Sequence, residues 1–121
     1  GKETLIEPEI AAEVPLSQLA IDTGRQGMIQ VATDGTASKF FKNVTYTLAA
    51  KTGTAQITAD RSDHGTFIAY APVEDPEIAI SVVMEDGTSH AASAVAREVM
   101  DAYFNNKGDG LKPVPDGELL P

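Results

Sequence analysis

Ala49-Ala50-Lys51-Thr52-Gly53-Thr54-Ala55-Gln56 is the stretch on which the reading of the whole chain turns. Small residues flank a single lysine, and a glycine stands where a buried strand normally carries a side chain. Side chains alternate along a strand, so Lys51 and Gly53 share one face. A glycine inside a strand costs stability but lets a second backbone or a ligand approach closely. Lys51 sets a positive charge beside that gap, and Thr52 adds a hydroxyl. The combination suits an anionic, peptide-like ligand lying along the strand.

Outward from this stretch the pattern is that of an α+β domain. Residues 1–15, with two prolines and interspersed acids, read as an extended lead-in. Ser17 can cap a helix reaching about residue 32, with Leu16, Leu19, Ala20, Met28 and Val31 as its apolar side. Gly24 and Gly27 weaken that helix. Asp34-Gly35 is a turn, and residues 36–43 form a polar connection anchored by Phe40 and Phe41, read as packing aromatics.

The Lys51 strand is expected to end near Thr58 and to be followed by a polar loop over 59–64. Further strands are expected over 66–71 and 77–85. In the latter, Ile78, Ile80, Val82 and Met84 alternate with Ala79, Ser81 and Val83, which predicts burial on both faces and hence an inner strand. The short links between the three strands predict an antiparallel meander. Residues 86–89 make a turn in which Ser89 can cap a final helix over about 91–105. Its core stripe reads as Val95, Ala96, Val99, Met100, Tyr103 and Phe104. Residues 16–105 therefore form the domain proper. Residues 106–121, with three glycines and three prolines, read as a loose tail.

Composition bounds the function. The chain has 121 residues, enough for one domain with a core, and its 42% hydrophobic content marks it as globular. A net charge of −9 argues against nucleic acid and against anionic lipid, both of which demand a basic surface. The absence of cysteine removes any disulfide framework or thiolate metal site. His64 with Asp60 and Asp63 lacks regular ligand spacing and reads as a solvated loop, so neither metal nor cofactor is expected. His90 beside Ser89 is not a hydrolase pair, since neighbours in sequence rarely meet in that geometry. Glu74, Asp75, Glu85 and Asp86 read as turn charges. No apolar run approaches membrane-spanning length.

Lys51-Thr52-Gly53 is also one of the three signatures of the penicillin-recognising serine enzymes. Around it stand Gly35-Thr36-Ala37, then Gly65-Thr66-Phe67-Ile68-Ala69-Tyr70-Ala71-Pro72, Asp75-Pro76, the apolar run 78–84 and Ala91-Ala92 opening a helix. This ordered succession, over roughly residues 8–104, resembles the C-terminal part of a penicillin-binding protein transpeptidase domain. Ala55-Gln56 after the motif is closer to the monofunctional class B members. The Gly-Thr-Ala, Phe41 and Tyr46 run is closer to their elongation type.

The resemblance implies the β-lactamase/transpeptidase-like fold, of which this chain holds three strands and the terminal helix. It implies a peptidoglycan D,D-transpeptidase that cross-links stem peptides by acyl transfer through a serine, and that β-lactams inhibit. Lys51 would supply positive field for the substrate carboxylate and for proton movement near the nucleophile. Thr52 would hydrogen-bond that carboxylate, Gly53 would keep the approach open, and the Thr54 N–H would serve the oxyanion hole. The family's nucleophile lies in Ser-x-x-Lys, and a second motif reads Ser-x-Asn. None of the six serines here begins either one.

By resemblance, then, the chain is the C-terminal piece, inactive alone, of a membrane-anchored parent on the extracytoplasmic face of a bacterial cell. Its expected partners are the N-terminal remainder of the domain, stem peptides and β-lactams. By itself it is expected to associate with that remainder or with copies of itself, since an inner strand without its neighbour exposes backbone and apolar surface. A penicillin sensor, a serine β-lactamase and a non-catalytic binding domain stay open beside the transpeptidase reading.

Overall fold

The computed structural model describes residues 9–56 and 62–106. Most of the lead-in, the expected strand end at Thr58, the loop residues Asp60 and Arg61, and residues 107–121 of the tail lie outside them. The elements run α1 (Gln18–Thr33), β1 (Ala49–Ala55), β2 (His64–Ala71), β3 (Ile78–Met84) and α2 (Ser89–Asn106). The strands form one antiparallel sheet in the order β1-β2-β3, the expected meander. His64, read as loop, opens β2, and its Nδ1 accepts the Asp86 N–H at 3.1 Å.

The register explains which face is buried. Ala50 pairs with Ala69, Thr52 with Phe67, Ala69 with Ile80 and Phe67 with Val82. Phe67 and Ala50 are fully buried, and the core they share includes Ala92, Ala96 and Met100 of α2. Phe41 stacks on Phe67 with ring centroids 5.6 Å apart, which fixes the connection before β1 onto this core. The opposite face carries Lys51, Ile68, Ser81 and Val83, all exposed.

The strand expected over 77–85 forms as β3, and its second face is open, as expected of an inner strand standing without its neighbour. The inner strand among the described residues is β2, and β3 lies at the sheet margin with Ala79, Ser81 and Val83 open. α2 covers one face of the sheet and α1 packs against β1, while Val83 on the other face remains 59% exposed.

The helices follow their caps more closely than their predicted stripes. Ser17 caps α1 by accepting the Ala20 N–H at 3.2 Å, an arrangement worth about 1 kcal/mol. Yet Leu16 and Leu19 are exposed, Leu19 by 77%, and burial is confined to the C-terminal end around Ala32. Thr88, rather than Ser89, caps α2, accepting the Ala91 N–H on its side chain. The buried row of α2 is Ala92, Ser93, Ala96 and Met100, while Val95 and Val99 turn outward. Small residues in that row let the helix lie close to the sheet, which the larger valines would prevent. Ser93 is accommodated by donating its hydroxyl to the Ser89 carbonyl at 2.7 Å.

A polar clasp joins α2 to the connection that delivers β1. Arg97 donates through Nε to Asp101 at 2.5 Å, and through Nη1 to the carbonyls of Phe40 and Lys42. Tyr46 donates its hydroxyl to the other Asp101 oxygen at 2.9 Å and stacks on Phe104. Burial first, then the hydrogen bond to Asp101 and its negative charge, push the Tyr46 phenol well above its ordinary value of 10.0. The unfolded chain ionises Tyr46 near that ordinary value, whereas the folded protein holds it neutral. The stability this confers is complete below pH 10 and is lost as pH rises through the folded value. Urea midpoints therefore fall above pH 10, and Tyr46→Phe removes that part of the fall. An identical alkaline profile in the variant would contradict it.

Candidate active site

β1 reaches the site along a defined route. The last turn of α1 passes into Gly35-Thr36-Ala37, and the 40–48 segment then runs under the Arg97 clasp into Ala49. Thr47 steadies the neighbouring turn: its hydroxyl accepts the Val73 N–H at 2.8 Å and donates to the Glu74 carboxylate. That hydrogen bond, first among the causes, lowers the Glu74 pKa from its ordinary 4.5. Arg25 of α1 donates to the Val73 carbonyl at 2.8 Å, so the same turn is tied to the first helix.

The four residues singled out from the sequence lie consecutively on β1, at the margin of the sheet. Among the described residues no strand pairs with the outer edge of β1. Lys51 is exposed on the open face, and its ammonium donates to the Thr52 carbonyl at 2.5 Å. That partner is neutral, and among the described residues no carboxylate pairs with Lys51. Thr52, on the opposite face, is half-buried, and its Oγ1 lies 2.8 Å from Thr36 Oγ1. Thr54 is exposed.

Gly53 pairs with Thr66, and a Cβ on it would lie 2.4 Å from Thr66 Oγ1. The space above the glycine therefore admits a side chain from the neighbouring strand. An apolar hollow of about 380 Å³, lined by Ile29, Phe41, Val44, Leu48 and Val73 among others, lies elsewhere, and no residue of 51–54 lines it.

Among the described residues β1 therefore presents an ammonium without a carboxylate partner on one face, a hydroxyl on the other, and between them an unpaired edge to which an extended anionic ligand can add by main-chain hydrogen bonds. No serine or other activated nucleophile stands with them among the described residues. The penicillin binding protein transpeptidase domain model matches residues 3–105. The chain belongs to the penicillin-binding protein transpeptidase family. The resemblance drawn from Lys51-Thr52-Gly53 and its surroundings, including the class B character, is borne out.

Penicillin-binding protein 2A of Bacillus subtilis is 37% identical over 117 residues, spanning 84% of this chain and 16% of that protein. The peptidoglycan D,D-transpeptidase MrdA of Haemophilus influenzae is 34% identical over 106 residues, spanning 73% of this chain and 16% of that protein. Among solved structures, PBP2 of Pseudomonas aeruginosa in complex with WCK 5153 superposes with a TM-score of 0.69. It is 32% identical, covering 96% of this chain and 26% of that one. Penicillin-binding protein A of Mycobacterium tuberculosis, as an imipenem acyl-enzyme complex, gives 0.59 at 30% identity, covering 72% and 19%. This family chain thus spans about a sixth of the length of the curated relatives it matches, and its α+β fold is that of the transpeptidases.

Two features of the site were not read from the sequence. Thr36 was noted as part of a family signature without a role, and its contact with Thr52 crosses 16 positions. The Tyr46–Asp101–Arg97 clasp is half legible: Arg97 and Asp101 stand four apart on one helix face, the spacing of an ion pair. Nothing in the sequence ties Tyr46 to them.

Proposed function

We propose that this chain supplies the Lys-Thr-Gly strand of a peptidoglycan D,D-transpeptidase of the elongation type. The observation that carries the reading is Lys51, which among the described residues has no carboxylate partner and stands beside an unpaired edge of β1, within a transpeptidase-family fold. A stem peptide lies along that edge by main-chain hydrogen bonds. A serine from a part of the domain outside this chain attacks the carbonyl between the two D-alanines. Its proton passes to a neighbouring base, the C–N bond breaks, and the terminal D-alanine leaves as an amine. An amine from a second stem peptide then attacks the ester, forming the cross-link and releasing the serine. Lys51 holds the substrate carboxylate by charge and biases proton movement near the serine, while Thr52 donates a hydrogen bond to the carboxylate. Gly53 adds no side chain of its own to the approach, where the Thr66 hydroxyl already lies, and the Thr54 N–H stabilises the developing oxyanion. β-Lactams acylate the same serine, as the imipenem acyl-enzyme of the related mycobacterial protein supports.

The remainder of the domain is the partner of the open sheet face. Ile68 and Val83 there are 47% and 59% exposed, and Leu16 just before α1 and Leu19 within it are open as well. Apolar surface of this extent, beside a charged motif, is what a second layer of the same domain would cover. None of the described helices is long and apolar enough to cross a membrane. The extracytoplasmic face of the cell membrane is the setting that the peptidoglycan substrate of this reading requires.

Intact-mass spectrometry after β-lactam treatment tests this reading. The protein that contains this chain together with a Ser-x-x-Lys segment gains one acyl adduct, whereas the 12.7 kDa chain alone gains none. A longer protein that binds β-lactam without an adduct would instead be a non-catalytic binding domain.

A further inference from the structure

Gly35-Thr36-Ala37 has so far only marked the family, yet each of its residues has a distinct physical task. Gly35 donates its N–H to the Gln30 carbonyl at 2.8 Å, and a Cβ on it would lie 2.8 Å from the Val31 Cα. The turn therefore folds back against the end of α1 more closely than a side chain permits. Ala37 donates to the Val31 carbonyl at 3.1 Å and is fully buried. Thr36 is thus fixed on both sides by the helix end, and its hydroxyl is held 2.8 Å from that of Thr52.

We infer that Thr36 is a positioning residue for the ligand carboxylate, acting through the hydroxyl of Thr52. The inference rests on the functional reading above and deepens it. A threonine hydroxyl has one proton and two lone pairs. If Thr52 spent its proton on Thr36, it would present only lone pairs to an anion and repel it. With Thr36 donating to Thr52 Oγ1, the Thr52 proton is free to point at the carboxylate. The first hydrogen bond also polarises the second. Thr36 never touches substrate. It sets the direction of the hydroxyl that does.

The distinguishing prediction concerns the carboxylate. In an assembled transpeptidase domain containing this chain, acylation rates are compared for a β-lactam with a free carboxylate and for its methyl ester. Thr36→Val keeps the branched shape and removes the hydroxyl. It lowers acylation by the free acid about three- to tenfold, the range expected for one hydrogen bond, and leaves the ester rate unchanged. Thr36→Ser restores the free-acid rate. In a Thr52→Val background, Thr36→Val has no further effect, because the hydroxyl it orients is gone.

An unchanged free-acid rate in Thr36→Val, or an equal loss for acid and ester, overturns the inference, the latter leaving Thr36 only a packing role. A wild-type domain acylated by neither compound overturns the transpeptidase reading itself, and so is separable from a failure of the Thr36 assignment.

Discussion

Lys51→Met in the assembled domain lowers β-lactam acylation about 10²- to 10³-fold while leaving thermal stability within error of the wild type. The magnitude follows from what the lysine stands against. The chain is acidic overall, with a net charge of −9, and the substrate brings its own carboxylate. Lys51 is a positive charge on the open sheet face with no carboxylate partner among the described residues. At about 4 Å and an effective dielectric near 20, one such charge contributes up to about 4 kcal/mol. Loss of a preorganised site donor costs a comparable 10²- to 10³-fold. Stability is spared because Lys51 is exposed and its ammonium hydrogen-bonds to the adjacent residue. Lys51→Arg recovers part of the rate, since the charge returns without the compact amine to which the proposed mechanism gives proton movement. Retention of a third or more of wild-type acylation by Lys51→Met would remove Lys51 from the site.

The elements that bracket Lys51 were legible because their signals are local. β1 is marked by its motif, β2 and β3 by runs bounded with prolines, glycines and acids, and α2 by four turns of helical spacing. Capping at Ser17 was legible for the same reason, as the acceptor and donor are three residues apart. The burial of each face was not. Periodicity says that Val83, Leu19, Val95 and Val99 are apolar, but not what lies across from them. Val83 and Leu19 face space uncovered among the described residues, and the two valines of α2 turn outward from a core row in which Ala92 and Ser93 join the expected Ala96 and Met100. Apolar pattern records what a chain buries in its full setting, and the structure of one part shows which of those residues still await a cover.

The polar architecture was less legible still. Thr36 meets Thr52, Tyr46 meets Asp101, and Thr47 meets Glu74 across 16, 55 and 27 positions. Such partners are chosen by the path of the backbone, and side-chain type alone does not announce them. Glu74, dismissed as a turn charge, in fact accepts the Thr47 hydroxyl that also holds the Val73 N–H. Lys51 to Thr54 could be singled out because a strand motif keeps its residue types within four consecutive positions. The residue that orients Thr52 lay in plain view and had no visible task.

Gly65 makes the opposite case, of a residue whose role is entirely steric, and its substitution has the largest expected effect on stability. A Cβ at this position would lie 2.0 Å from the Thr88 carbonyl carbon, 2.2 Å from its oxygen and 2.4 Å from the Ser89 nitrogen. These are backbone atoms of the α2 start, so no rotamer change can clear them. Gly65→Ala must therefore lift α2 from the sheet or shift β2. The first loosens the contact that buries Ala92, Ala96 and Met100, and the second breaks the pairings of Gly65 with Thr54 and Met84. Either response costs about 3 kcal/mol, the upper range for overpacking, read as a lowered urea midpoint in the assembled domain. Gly24→Ala is the matched control: nothing lies within 4 Å of its added Cβ, and the exposed helix gains about 1 kcal/mol. The pair separates steric cost from backbone entropy, because the chemical change is the same. Acylation falls with Gly65→Ala as well, since β2 carries Thr66, whose hydroxyl lies across Gly53 of the site. A Gly65→Ala protein within 1 kcal/mol of wild type would mean that α2 does not rest on β2 at this distance.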